Sequence, residues 1–162
     1  MKTCLVGCGG IAAVHGSVLT SDIDTEFVAA ADIKPKKAQT YAENFHTKPY
    51  PSLESMLEAE KPDVLHICTP HYLHVPMAIY SLERNINVFM EKPPAISFDQ
   101  LEELKKAAAK SEAQLGFCYQ NRYNASIRAA KDLIDSGKAG KVLGARAFVT
   151  WCRGAAYYTE SG

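Results

Sequence analysis

The sequence has no excess of charge of either sign, because its 18 Lys and Arg residues balance its 18 Asp and Glu residues. Proteins that bind nucleic acid or anionic membrane surfaces normally carry clustered positive charge, so we expect neither kind of partner. Long apolar runs are also missing, since stretches such as Val64–Cys68 and Ile86–Met90 fall short of the roughly 20 residues that span a bilayer. Without a signal-peptide pattern at the amino terminus, we expect a cytoplasmic protein.

The sequence also lacks any C-x-x-C pair, and its five cysteines are an odd number. Most of them lie in apolar, strand-like runs, which favours reduced and buried thiols over disulfides or zinc ligands. His71 and His74 are spaced as H-x-x-H, but no further Cys, Asp or Glu stands at ligand spacing from them. We therefore expect no metal site. His15 and His66 are interpreted as packing residues.

Short apolar, β-branched runs alternate with helical segments of about ten residues, a pattern typical of α/β proteins with a parallel sheet. Such strands are covered on both faces and therefore read as continuous apolar runs. The fold class expected is α/β, a Rossmann-type doubly wound parallel sheet. Strands are predicted at Lys2–Val6, Glu26–Ala31, Thr47–Tyr50, Val64–Cys68, Ile86–Met90 and Leu115–Tyr119.

The pattern changes after about residue 123, which predicts a first domain over 1–123 and the start of a second over 124–162. Ala125–Ser136 reads as a linking helix that ends at Gly137, and Lys141–Trp151 reads as a long strand. Because a long strand needs partners, we expect this one to pair with another copy or with the chain's own surface.

A glycine-rich turn follows the first predicted strand. Gly7-Cys8-Gly9-Gly10-Ile11-Ala12 fits G-x-G-x-x-A at the start of a helix. In this pattern the first glycine permits the tight turn, the second allows a pyrophosphate close to the backbone, and the last small residue permits close helix packing. The spacing predicts a dinucleotide site, although a related domain with another ligand, or none, fits the same pattern.

Asp32 ends the second predicted strand, twenty residues after Ala12, where such domains place the acid that binds the adenosine ribose. A carboxylate about 4 Å from a 2′-phosphate would repel it by roughly 1 kcal/mol in water and about 4 at an effective dielectric of 20. We therefore expect NAD rather than NADP. Lys34, Lys36 and Lys37 could attract a phosphate if Asp32 moved away, but they also suit a solvated helix start.

Two further loops follow strands at the same sheet edge, Cys68–His74 and Met90–Pro94. Ligands of open α/β sheets bind at the carboxyl ends of the strands, so both loops should face the cofactor. Lys92 lies between a strand end and a proline-stiffened loop, which places it for proton transfer. The alternative is a surface lysine paired with Glu91.

Together these motifs resemble the glucose-fructose oxidoreductase, inositol dehydrogenase and MocA family of NAD(P)-dependent oxidoreductases. The matching pieces are Gly7–Ala12, Asp32, Pro62-Asp63-Val64, Thr69-Pro70, His74, Glu91-Lys92-Pro93 and Gln120-Asn121-Arg122-Tyr123. The resemblance implies cofactor contacts for Gly7, Cys8, Gly9, Gly10, Ile11, Ala12, Asp32, Thr69, Pro70, His74, Glu91, Lys92 and Pro93. It further implies that Glu91 approaches the nicotinamide ribose and that Lys92 is a catalytic residue beside the reacting hydroxyl.

Members of that family oxidise secondary hydroxyls of sugars, inositol or related polyols, and a second domain with an open antiparallel sheet supplies a catalytic histidine. They are about twice as long as this chain. The resemblance therefore implies an oxidoreductase portion that is inactive alone and has lost the family's native homo-oligomer interface. The alternative is a non-catalytic dinucleotide-binding sensor, which would have no need for Lys92.

Overall fold

Six short strands alternate with helices in the order that the apolar periodicity predicts. The computed structural model describes residues 1–155. The strands are β1 Lys2–Val6, β2 Glu26–Ala31, β3 Lys48–Tyr50, β4 Val64–Ile67, β5 Asn87–Glu91 and β6 Leu115–Cys118. The helices are α1 Gly10–Ser21, α2 Pro35–Phe45, α3 Leu53–Glu60, α4 His74–Leu82, α5 Phe98–Lys110 and α6 Ala125–Asp135. Predicted and observed ends of the strands differ by no more than one residue.

The six strands form one parallel sheet in the order β3-β2-β1-β4-β5-β6. The strand order reverses between β1 and β4, which places a ligand crevice outside their carboxyl ends. The expected Rossmann-type doubly wound sheet is therefore confirmed.

Helices cover both faces of this sheet. On one face, α3, α4 and α5 bury apolar side chains such as Met56, Ala78 and Leu104 against alternate strand residues. On the other face, Ala12 of α1 and Tyr41 of α2 pack on β1 and β2. This arrangement explains why the central strands read as unbroken apolar runs.

Serine side chains cap the amino-terminal ends of α5 and α3. Ser97 accepts a hydrogen bond from the Gln100 N–H at 3.3 Å, and Ser52 accepts one from the Ser55 N–H at 3.2 Å. Each bond satisfies an N–H that lacks an intrahelical acceptor, which stabilises a helix by about 1 kcal/mol.

The described residues divide into two units, Met1–Cys118 and a second that begins at Tyr119. The second unit contains α6, the helix that the sequence predicts over Ala125–Ser136.

The strand predicted over Lys141–Trp151 is wrong, because residues 142–154 have no regular secondary structure. A strand forms only where a neighbouring strand pairs with its N–H and C=O groups, and none of residues 1–155 pairs with this segment in that way. Pairing with the chain's own surface is likewise not observed, since 141–151 are exposed throughout.

All five cysteines lie among the described residues, and none forms a disulfide. Cys4 and Cys68 are buried in the sheet, as their apolar surroundings predict. Within residues 1–155, no helix has the length and apolar content needed to cross a bilayer.

The amino-terminal end of the sheet carries a buried carboxylate, Glu60, whose side chain is only 5% exposed. The Tyr50 hydroxyl donates to it at 2.6 Å, and the ammonium groups of Lys48 and Lys2 lie 2.9 and 3.0 Å away. The bonds from Tyr50 and then Lys48 lower the pKa of Glu60 to about 2, and the same carboxylate raises the pKa of Tyr50 to about 12. This network links β1, β3 and α3.

Replacing Glu60 with Gln should lower the free energy of unfolding at pH 7 by about 1–2 kcal/mol, because the donors lose a charged acceptor. The native carboxylate is held ionised, so its contribution is present above the unfolded pKa of about 4.3. That contribution is lost as the pH falls from about 5 towards 2. Urea unfolding of the wild type and of Glu60→Gln across this range should show that the difference between their free energies of unfolding disappears in acid. Glu102→Gln, at the exposed Glu102–Lys105 pair, is the control and should leave the midpoint unchanged.

Candidate functional site

The loop after β1 turns sharply at Gly7. Its φ is +92°, and a Cβ at this position would lie 2.7 Å from the backbone carbon of Cys68 and the backbone nitrogen of Thr69. Both the left-handed conformation and the close approach to the end of β4 therefore require glycine. The first glycine has the role that the motif predicts.

The next part of the loop is open. A Cβ built on Gly9 or Gly10 would meet no other atom within 4 Å. Gly9 is the N-cap residue just before α1, and neither a side-chain cap nor an acidic residue lies at this end of the helix. Backbone N–H groups with partial positive charge therefore face a space that an anionic group can enter. These residues fit the diphosphate of a dinucleotide.

Asp32, at the end of β2, is bound to the same loop. Its Oδ2 accepts the Cys8 N–H at 2.9 Å and its Oδ1 accepts the Lys34 N–H at 2.8 Å. The carboxylate is thus fixed beside the glycine loop and is only half-buried. Each oxygen has a second lone pair, so both can still accept hydroxyl groups of a ribose.

Two loops at the ends of β4 and β5 are joined beneath the surface by His74. Its imidazole is fully buried, with Nδ1 2.8 Å from the Pro93 carbonyl oxygen and Nε2 2.9 Å from the Thr69 carbonyl oxygen. The ring therefore holds Thr69-Pro70 next to Lys92-Pro93. His74 begins α4, and its fully buried ring supports the crevice from below.

Glu91 and Lys92 face different environments, although they are neighbours in the sequence. Lys92 is exposed at the sheet edge, whereas Glu91 is only 5% exposed. Glu91 Oε2 accepts the Lys92 N–H at 3.2 Å, and Glu91 Oε1 lies 3.1 Å from Nε2 of His15. Burial alone would raise the pKa of Glu91, but hydrogen bonds from His15 and Cys118 bring that pKa below its ordinary value. The alternative pairing of Lys92 with Glu91 is thus seen only as a contact of the Lys92 backbone N–H.

His15 connects Glu91 to a second histidine, the half-buried His66. Nδ1 of His15 lies 2.9 Å from Nδ1 of His66, and the rings meet edge to face with centroids 5.3 Å apart. Burial, followed by the nearby His15, lowers the pKa of His66 to about 4, so His66 is neutral at pH 7. His66 is a satisfied interior residue, as predicted.

The sequence pattern predicts a packing role for His15 and gives no link between His15 and Glu91, because 76 positions separate the two residues. One signal was available in the strand register. Glu91 and Cys118 are direct neighbours on the parallel strands β5 and β6, so their side chains share a face. The helix that follows the glycine loop covers that face near the sheet edge.

Residues 1–119 match the sequence model of the family described as "Oxidoreductase family, NAD-binding Rossmann fold", Gfo/Idh/MocA. The chain belongs to the Gfo/Idh/MocA family. The family resemblance carried by the motifs is therefore confirmed.

Among curated relatives, D-glucoside 3-dehydrogenase of Escherichia coli is 28% identical over 88% of this chain and 41% of that relative. Among solved structures, WlbA dehydrogenase of Bordetella pertussis, in complex with NADH and UDP-GlcNAcA, is 30% identical with a TM-score of 0.83, covering 86% of this chain and 43% of that one. Myo-inositol 2-dehydrogenase of Lactobacillus plantarum is 26% identical with a TM-score of 0.82, covering 88% and 43%. The chain thus spans about two fifths of these relatives.

Gly7→Ala should lower the free energy of unfolding by at least about 2 kcal/mol, because the new methyl group meets backbone atoms and the left-handed conformation is strained. Chemical unfolding followed by circular dichroism measures the change. Gly10→Ala is the matched control: it adds the same methyl group to open space in the first turn of α1. Its stability should be unchanged or slightly higher. Equal losses in both variants would contradict this account of the turn.

Proposed function

We propose that this chain binds NAD(H) in preference to NADP(H). It forms the coenzyme-binding part of a dehydrogenase that acts on a secondary hydroxyl of a sugar, inositol or related polyol. The observation that carries the proposal is the uncapped start of α1 at Gly9, open to solvent and next to the fixed carboxylate of Asp32. NADH in the complex of the WlbA relative, and the sugar and inositol names of the other relatives, support the coenzyme and substrate class.

The preference for NAD follows from how Asp32 is held. A 2′-phosphate about 4 Å away would be repelled by roughly 4 kcal/mol at an effective dielectric of 20. To relieve this repulsion the carboxylate would have to swing away and break its bonds to the N–H groups of Cys8 and Lys34. The lysines that follow Asp32 therefore have little opportunity to bind a phosphate in its place.

Lys92 is the residue proposed for the chemistry at the substrate. The bound nicotinamide would supply the hydride acceptor or donor. The Lys92 ammonium would donate a hydrogen bond to the reacting oxygen, stabilise negative charge on it and relay its proton. The Lys92 backbone is held on both sides, by Glu91 Oε2 at its N–H and through the bond of His74 to Pro93.

Titration of the wild-type chain with NADH and NADPH, followed by coenzyme fluorescence or calorimetry, should give at least about tenfold tighter binding of NADH.

Gly9→Ala should weaken NADH binding at least tenfold, about 1.4 kcal/mol, while the free energy of unfolding stays unchanged. The reason is that the methyl group would occupy the space left for the diphosphate. Equal affinity of wild type and Gly9→Ala, or tighter binding of NADPH, would contradict the proposal.

In a protein that continues this chain to the length of its relatives, Lys92→Ala should lower kcat for polyol or sugar oxidation by about 100-fold or more. The affinity for NADH should change less than about threefold, because Lys92 acts on the substrate oxygen. Lys110→Ala, at the exposed end of α5, should keep full activity. A sensor would show no turnover in the wild type, and full turnover in Lys92→Ala would remove Lys92 from the mechanism.

A further inference from the structure

Three potential metal ligands meet in the interior beside the crevice. One ligand atom each from His15, Glu91 and Cys118 lies within 4.8 Å of the other two. His15 and Glu91 are buried, Cys118 is half-buried, and all three belong to the unit Met1–Cys118. They come from α1, β5 and β6, so the sheet and one helix together bring them to one place.

We propose that His15, Glu91 and Cys118 form a binding site for a divalent metal ion of the zinc type, with a water molecule as fourth ligand. Imidazole, carboxylate and thiolate are ligands that zinc takes, at bond lengths of about 2.0–2.3 Å. Ligand atoms of a tetrahedral site then lie about 3–4 Å apart. Nε2 of His15 and Oε1 of Glu91 are already 3.1 Å apart, so small side-chain movements close the site.

The outer contacts of the cluster suit this role. A metal-bound histidine donates its other ring N–H to an acceptor, and Nδ1 of His15 lies 2.9 Å from Nδ1 of the neutral His66. The Glu91 carboxylate can bind the ion through Oε1, because its Oε2 accepts the Lys92 N–H. Two of the three ligands are thus already oriented by partners that would remain in place.

Charge balance also favours an ion here. Binding forms a metal–sulfur bond and releases the Cys118 thiol proton to solvent. A divalent cation with one carboxylate and one thiolate has zero net charge, which keeps the cost of burying it low. His71 and His74 are a weaker candidate for a metal site, because both ring nitrogens of His74 already contact carbonyl oxygens. The proposal revises the expectation that the chain holds no metal.

The test is titration of the chelator-treated, reduced 162-residue chain with Co²⁺, a spectroscopic substitute for Zn²⁺. We expect one equivalent to bind more tightly than about 10 µM, with a thiolate-to-cobalt absorption band that Zn²⁺ abolishes. Cys118→Ser should remove the band, and His15→Gln should weaken binding at least tenfold. His66→Gln should weaken it about 10–100-fold, as loss of an outer partner does.

Cys152→Ser and His71→Gln are the matched controls, and both should bind as the wild type does, since neither residue belongs to the cluster. Circular dichroism establishes that each variant is folded. If His15→Gln does not fold, Cys118→Ser decides, because it exchanges one atom at a half-buried position. A band that survives in Cys118→Ser or disappears in Cys152→Ser overturns the proposal, as does a folded wild type that binds no equivalent of Co²⁺ or Zn²⁺.

Discussion

The close contact between the first turn and the end of β4 fixes everything else at the carboxyl edge of the sheet. Gly7 lies against the backbone of Cys68 and Thr69 in a left-handed conformation that only glycine adopts without strain. From this point the chain enters α1 with its amino terminus directed into the crevice. The same contact places the β4 loop beside the glycine loop. The open start of α1 and the position of the β4 loop therefore share one structural cause.

Hydrogen bonds from buried and half-buried side chains then connect the loops that the sheet brings together. Asp32 binds the glycine loop to the end of β2, and His74 binds the β4 loop to the β5 loop. His15 reaches from α1 to Glu91, one residue before Lys92. Loops are usually the mobile part of an α/β protein, so these bonds reduce the ordering that ligand binding would otherwise require.

The two acidic residues at the sheet ends show how position decides the role of a carboxylate. Glu60, at the amino-terminal end, receives bonds from Tyr50 and two lysines and stabilises the fold. Glu91, at the carboxyl end, receives bonds from an imidazole, a thiol and a backbone N–H. The imidazole and the thiol of the second set are also groups that can bind a metal ion.

The sequence by itself determined the strands, the parallel doubly wound sheet and the glycine-rich turn, because those features depend on local patterns: apolar runs and glycines at fixed spacing. It also placed Asp32 and Lys92 at the correct edge. Only the tertiary structure decided that His74 lies beneath the crevice and that His15, His66, Glu91 and Cys118 meet, since these contacts join distant segments through side-chain direction. It likewise decided against the strand at Lys141–Trp151, because strand formation depends on a partner and not on the apolar pattern alone.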